Sequence, residues 1–208
     1  MKRKLVAGLG GAAPASAAMA PAFGQAGKAA AGAPKLSDGV VRIGVLTDMS
    51  GLYSDLGGAG SVLAAKMAID DFKAMEKGKA FPIELVSSDH QNKADVGAQK
   101  AREWYDTQGV DMVTDVLNSA VALAVAKLTA EKKRILIDTG AASTRLTNED
   151  CSPYTVHYVY DTYSLANGTG NAVVKRGGKT WFFPPADYGL GHPSECDASN
   201  VGQLSGGA

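Results

Sequence analysis

Apolar and polar positions alternate between two periods along this chain. Val40-Val41-Arg42-Ile43-Gly44-Val45-Leu46 is short and rich in β-branched residues, and it stops abruptly in Thr47-Asp48-Met49-Ser50-Gly51. Such a run predicts a buried strand followed by a polar loop. Val62, Ala65, Ile69 and Phe72 then recur at three- and four-residue steps, which predicts a helix from about Gly58 to Met75, stopped by Lys77-Gly78-Lys79. A strand, a loop and an amphipathic helix form the opening half of a βαβ unit. The theme repeats. Phe81 to Val86 reads as a second strand leaving through Ser87-Ser88-Asp89, and Asn92 is placed to cap a helix with Asp95 in its first turn. Val96, Ala98, Ala101, Trp104 and Tyr105 cover one face of that helix, the two aromatics as packing residues. Val110 to Val116 is the third strand. Ser119 is expected to cap the next helix, whose apolar residues include Val121, Leu123, Ala124, Val125 and Leu128. Arg134 to Asp138 is the fourth strand, leaving through Thr139-Gly140-Ala141-Ala142-Ser143-Thr144. Strands and helices alternating in this way predict an α/β fold with a doubly wound parallel sheet. In such a sheet a ligand site lies beyond the carboxyl ends of the strands.

The order weakens toward both ends. Asn148 to Pro153 reads as loop, Thr155 to Tyr160 as a short aromatic strand, Tyr163 to Val174 as helix and Thr180 to Phe183 as a further strand. Beyond Tyr188, the stretch with Pro193, Ser194, Cys196 and Gly202 to Ala208 predicts neither a helix nor a closing strand. At the other end, Met1-Lys2-Arg3-Lys4 precedes an apolar, alanine-rich run with the form of a secretory signal peptide. Cleavage after Ala22-Phe23-Gly24 makes residues 1–24 the signal peptide and 25–37 a flexible tether; the alternative is a leader that is never cut. No other stretch approaches the ~18 apolar residues needed to span a bilayer.

Composition narrows the function classes. A hydrophobic content of 45% with 20% charged residues describes a soluble globular chain. Lys+Arg and Asp+Glu are 21 each, so no basic excess supports a nucleic-acid partner. Three strand exits carry hydroxyls beside small residues: Ser50-Gly51, Asn118-Ser119-Ala120 and Ala141-Ala142-Ser143. Small side chains let a ligand approach backbone N–H groups, and helix starts add positive dipole ends, a combination that suits a carboxylate. The same residues also suit helix caps and tight turns. Enzyme motifs fail: Gly178-Lys179-Thr180 lacks the first glycine of a phosphate loop because Val173 occupies it, Gly168-Thr169-Gly170 and Gly58-Ala59-Gly60 lack the third glycine of a dinucleotide fingerprint, and no G-x-S-x-G elbow occurs. His90, His157 and His192 have no metal-ligand spacing, so neither cofactor nor metal is expected. Cys151 and Cys196 could pair in an oxidising compartment, but two widely separated cysteines do not establish a disulfide.

Ile43-Gly44-Val45-Leu46-Thr47-Asp48-Met49-Ser50-Gly51, Val116-Leu117-Asn118-Ser119-Ala120-Val121, Thr139-Gly140-Ala141-Ala142-Ser143 and Ala186-Asp187-Tyr188-Gly189 resemble the branched-chain amino-acid-type periplasmic solute-binding proteins of bacterial ABC importers. The resemblance runs from about Lys35 to about His192. It implies a type I periplasmic binding protein fold, a two-lobed clamp that closes on a small ligand and delivers it to a membrane permease, without enzymatic activity. It places Ser119, Ala141 and Ser143 where the first lobe grips a ligand carboxylate; the strand exits themselves add Ser50, Gly51, Asn118 and Ala142 as candidate ligand-binding residues. Tyr53 falls in the first-strand loop, Tyr160 near the inter-lobe crossover, and Tyr188 at an aromatic position covering the ligand side chain. The expected lobes are 38–160 and the start of a second at 161–208. Family members are considerably longer, so the chain reads as truncated, with ligand binding impaired. The implied ligand is an amino acid or a related small carboxylate or amide, aromatic acids included, and the implied location is the periplasm. An exported or degraded α/β enzyme, or a sensor lobe of the same fold, is the alternative.

Overall fold

β1 (Val41–Thr47) lies inside a five-stranded sheet whose order is β2-β1-β3-β4-β5, with β2 Ile83–Asp89, β3 Met112–Asp115, β4 Ile135–Asp138 and β5 Thr155–His157. This computed structural model describes residues 38–76, 78–178, 180–182 and 187–204, so the expected signal peptide and tether lie outside the described residues. Every pairing is parallel, in registers such as Val41 with Ile83, Ile43 with Met112, and Leu136 with Thr155. Parallel strands need crossovers, which α1 (Gly58–Ala74), α2 (Ala94–Thr107) and α3 (Ser119–Lys132) supply. Right-handed crossovers put α1 on one face of the sheet and α2 and α3 on the other. The expected doubly wound, type I architecture is therefore the observed one.

The core lies between the sheet and the α2–α3 layer. Leu46, Val113 and Leu136 meet Ala101, Trp104, Val121, Val125 and Leu128 there, all buried. Gly44 admits the Trp104 ring against the strand: a Cβ at that position would lie 2.5 Å from Trp104 Cζ3. Tyr105 is buried too, and its hydroxyl lies 3.0 Å from that of Thr129. The α1 side is looser. Ala65, Ile69 and Phe72 form the expected apolar face, but with Ile43, Val45 and Met112 they line a cleft of about 470 Å³ between helix and sheet. Farther along the sheet, Ile135 and Val156 are 48% and 49% exposed.

Several local expectations are corrected. Asn92 does not cap α2. It sits at φ 57°, Lys93 occupies the cap position without a side-chain bond, and Asn92 Oδ1 accepts from Asn118 Nδ2 at 2.6 Å instead. Asn118, not Ser119, caps α3, because its Oδ1 accepts from the Ala120 and Val121 amides. The expected helix from Tyr163 to Val174 is present but interrupted: α4 (Thr162–Leu165) passes through a π-turn at Ala166–Gly170 into α5 (Asn171–Lys175). Two glycines weaken the ladder there, and the Asn167 and Asn171 amides donate to the carbonyls of Tyr163 and Asn167. Thr180, Trp181 and Phe182 form no strand among the described residues, since no neighbouring edge pairs with them. The stretch past Tyr188, by contrast, is helical as α6 (Gly191–Leu204). Pro193 falls in its first turn, where a missing N–H costs nothing. Tertiary contacts override the weak propensity: Asp197 accepts from Thr162 Oγ1 at 2.6 Å, and Val201 is buried against Gly170. Cys151 and Cys196 are free and exposed.

Candidate functional site

Because β1, β3 and β4 are neighbours, their exits form one ridge at the carboxyl end of the sheet. The β3 exit is strained: Asp115 has φ 80° and the β-branched Val116 has φ 57°. Such positions cost about 1–3 kcal/mol each and concentrate at functional sites. Two contacts hold the turn against the β4 exit. The Thr139 amide donates to Asp115 O at 3.2 Å, and Gly140 lies so close that a Cβ would stand 2.8 Å from Leu117 Cα. This turn aims Asn118 into its cap and delivers Ser119, 2% exposed, as the first residue of α3.

The β4 exit is tied at almost every polar atom. Asp138 Oδ1 accepts from the amides of Gly140 and Ala141 at 3.0 and 2.9 Å. His157 Nε2 lies 2.6 Å from Ala141 O, and the Thr162 amide donates to Ala142 O at 2.9 Å. Ser143 ends the loop at 0% exposure, and its Oγ has no hydrogen-bond partner among the described residues. Burial, opposed by the two loop amides and by His157, pushes the Asp138 carboxyl up to about 6.

The β1 exit is acidic. Asp48 accepts from the amides of Gly51 and Tyr53, at 2.7 and 2.9 Å, and Ser50 Oγ donates to Asp89 Oδ2 at 2.5 Å. Burial raises the Asp89 pKa, but the bonds from Ser50, Met49 N–H and Gln91 N–H outweigh it and hold the carboxyl below its usual range. His90 is fully buried beside it, and burial depresses its pKa against the pull of Asp48, Asp89 and Asp115. Tyr53 leaves this ridge to meet Tyr188, hydroxyl to hydroxyl at 2.6 Å with ring centroids 6.3 Å apart. Burial first, then the Tyr53 bond, raises the Tyr188 pKa. The adjoining Gly189 rests on the start of α3, where a Cβ would be 3.0 Å from Ala120 N. Tyr160 is 59% exposed.

The structure thus brings Ser119, Ala141, Ala142, Ser143, Tyr53 and Tyr188 around the ridge, while Ser50 and Gly51 are bonded to acidic side chains. Asp138, His157 and Thr162 were not singled out from the sequence. The Asp-x-Gly spacing of Asp138 and Gly140, which predicts an aspartate bonding its own loop, was the available signal. No cluster of metal-ligating side chains exists among the described residues. Most ridge amides described above are bonded to Asn118, Asp138 or Asp48, whereas the Ser143 hydroxyl is buried without a partner among the described residues and is available to a ligand oxygen.

Solved structures share this fold. A periplasmic binding protein from Burkholderia mallei is 52% identical, superposes with a TM-score of 0.78, and is matched over 82% of this chain and 45% of its own. A branched chain amino acid ABC transporter periplasmic ligand-binding protein from Burkholderia xenovorans LB400 is 37% identical with a TM-score of 0.70, over 80% and 44% of the two chains. A solute-binding protein of an ABC transporter from Rhodopseudomonas palustris, in complex with 4-hydroxybenzoate, is 24% identical with a TM-score of 0.69, over 81% and 45%, and shows the fold alone. The chain spans less than half the length of these solved relatives. No curated protein matches the sequence. The neighbours are binding proteins rather than enzymes. A family model described as periplasmic binding protein matches residues 40–208, and with the parallel sheet and its ridge of strand exits this establishes that the chain belongs to the periplasmic binding protein family.

Proposed function

We propose that this chain is the solute-binding part of an ABC importer component, exported to the periplasm, and that it holds the carboxylate of a small organic acid or amino acid between the exits of β3 and β4. Ser119, Ala141, Ala142 and Ser143 form the cradle, Asn118 fixes the α3 start beside it, and Tyr53 and Tyr188 wall the apolar part of the ligand. Residues 38–160 act as the first lobe and 161–208 begin the second; a membrane permease receives the ligand. The observation that carries this reading is the Ser143 hydroxyl, fully buried and unpartnered among the described residues. A buried hydroxyl without a partner costs about 1–3 kcal/mol, and a ligand carboxylate would satisfy it. The positive end of α3 and the small side chains of Ala120, Ala141 and Ala142 favour the same occupant.

Gly189 packs on the start of α3, where a Cβ would be 3.0 Å from Ala120 N, so the ligand must displace Gly189 from the helix start while Tyr188 stays against its apolar part. Binding to the 208-residue chain is therefore expected to be about millimolar, near −4 kcal/mol. The test is a titration of the isotope-labelled chain with benzoate and acetyl-leucine, and with the uncharged amides benzamide and acetyl-leucine amide, followed by amide chemical shifts. Carboxylates should move the signals of Ser119, Ala142 and Ser143 while the uncharged analogues leave them in place. Failure of every carboxylate to move them at roughly ten times a millimolar Kd would reject the cradle. Export is tested separately by fusing residues 1–30 to a periplasmic reporter; cytoplasmic retention would reject the leader.

A further inference from the structure

Beneath the cradle, one row of the sheet reads Leu46, Asp115, Asp138 and His157 across β1, β3, β4 and β5. Asp138 is fully buried and divides its two oxygens between different tasks. Oδ1 accepts from the Gly140 and Ala141 amides, at 3.0 and 2.9 Å, and so shapes the first half of the loop. Oδ2 is buried without a hydrogen-bond partner among the described residues and lies 3.9 Å from His157 Nε2. That same nitrogen is 2.6 Å from Ala141 O, so with its proton on Nε2 the ring donates to the loop's carbonyl. Aspartate from below and histidine from the side grip a single residue, Ala141, by its amide and its carbonyl.

We propose that Asp138 and His157 are positioning residues for the cradle, and that binding a carboxylate there is coupled to uptake of a proton at Asp138 Oδ2. This inference rests on the cradle proposed above. A bound carboxylate sits on the loop that Asp138 itself holds, so an ionised Asp138, fully buried beneath it, repels it through one turn of backbone. Protonation at Oδ2 removes that repulsion and leaves Oδ1 free to keep both amide bonds. Other charged and titratable groups face this region from each neighbouring element. They are Asp115 on β3, Asp48 beyond β1, Asp89 and His90 on and beyond β2, Tyr53 and Tyr188 beside the start of α3, and Asp161 and Asp197 around Thr162. Asp115 adds to the repulsion and His157 opposes it. The first two turns of α3, Ser119 to Ala126, carry no titratable side chain, so none there masks the effect.

The experiment measures benzoate affinity from pH 8 to about 5.5, where the ligand stays ionised, in the parent, Asp138→Asn, His157→Gln and His157→Leu. The parent should bind more tightly toward low pH, by about tenfold for each unit that the ligand raises the Asp138 pKa. Asp138→Asn keeps the acceptor for the loop amides but cannot ionise, so its profile should be clearly shallower than the parent's. His157→Gln retains a donor for Ala141 O and should bind nearly as the parent, whereas His157→Leu should bind severalfold more weakly while remaining folded. As a check independent of folding of the variants, the Asp138 carboxyl carbon in the parent should titrate at higher pH with benzoate than without. Parallel pH profiles in the parent and Asp138→Asn, or a carboxyl titration unmoved by benzoate, would overturn the coupling. Equal affinities of the two His157 variants would overturn the positioning role. Absence of benzoate binding at every pH would instead condemn the cradle itself.

Discussion

Ser143→Ala should make the ligand-free protein more stable and its ligand binding weaker. The hydroxyl is fully buried and unbonded within the described protein, so its removal forfeits no intramolecular hydrogen bond. What disappears is the desolvation penalty of an unsatisfied polar group, about 1–3 kcal/mol, offset by the small volume left where the oxygen was. A net gain of roughly 1 kcal/mol corresponds to a Tm rise of about 2–4 °C for a chain of this size. With a carboxylate bound, the same oxygen donates to a charged acceptor worth about 1.5–3 kcal/mol, and its loss weakens binding about 10- to 150-fold. Differential scanning calorimetry without ligand and an affinity titration measure the two effects separately. Asn118→Ala is the control, because Asn118 caps α3 through Ala120 and Val121 and also donates to Asn92. It should lower Tm, by about 1–2 kcal/mol in stability. If Ser143→Ala instead melts earlier and binds unchanged, the serine is a structural cap and the reasoning from its orphaned hydroxyl is wrong.

Gly44→Ala should destabilise the protein by about 1–3 kcal/mol, since the new methyl would meet the buried Trp104 ring at 2.5 Å and a ring cannot swing aside as a flexible chain end does; a melting temperature equal to the parent's would show that the α2 layer yields. Asp138 supplies a pH dependence of known sign. Its carboxyl is raised from 3.8 to about 6 in the folded protein, so its contribution to stability is fully present below about pH 4 and is lost as pH rises through 6. At 1.36 kcal/mol per unit the loss is about 3 kcal/mol. Urea unfolding at pH 4 and pH 7 should therefore show the parent losing stability relative to Asp138→Asn, and a constant difference between the two would exclude this titration.

The sheet and the ridge were legible because their signals are local. Val45-Leu46, Val113 and Leu136 announce buried strands, and the 3.6-residue stripes of α2 and α3 match the layer that buries them. Parallel topology then places the exits of β1, β3 and β4 side by side, so Ser119 and Ser143 lie on neighbouring exits without any sequence motif saying so. What escaped depends on distant partners. Asn92 looked like a cap until Asn118, 26 residues on, claimed its side chain. The Tyr53–Tyr188 bond joins residues 135 apart. His157 read as an unremarkable histidine, and only its seat beside Asp138 on the sheet gives it work to do. The α6 stretch has weak propensity and becomes helical through Thr162, Asp197 and Val201.

The all-parallel register also governs how the chain gets to this structure. Val41 must find Ile83, and Ile43 must find Met112, so β1 acquires neither neighbour through a hairpin. Helical turns can form early, but each strand pairing waits on the closure of a long loop, and folds of such distant contacts mature slowly. β1 cannot complete its ladder until β3, at residues 112–115, has emerged. At synthesis rates of about 5–20 residues per second, that leaves several seconds in which residues 1–24, the proposed leader, have been made and the sheet does not yet exist. For a chain exported as proposed, slow topology keeps it threadable until it has crossed.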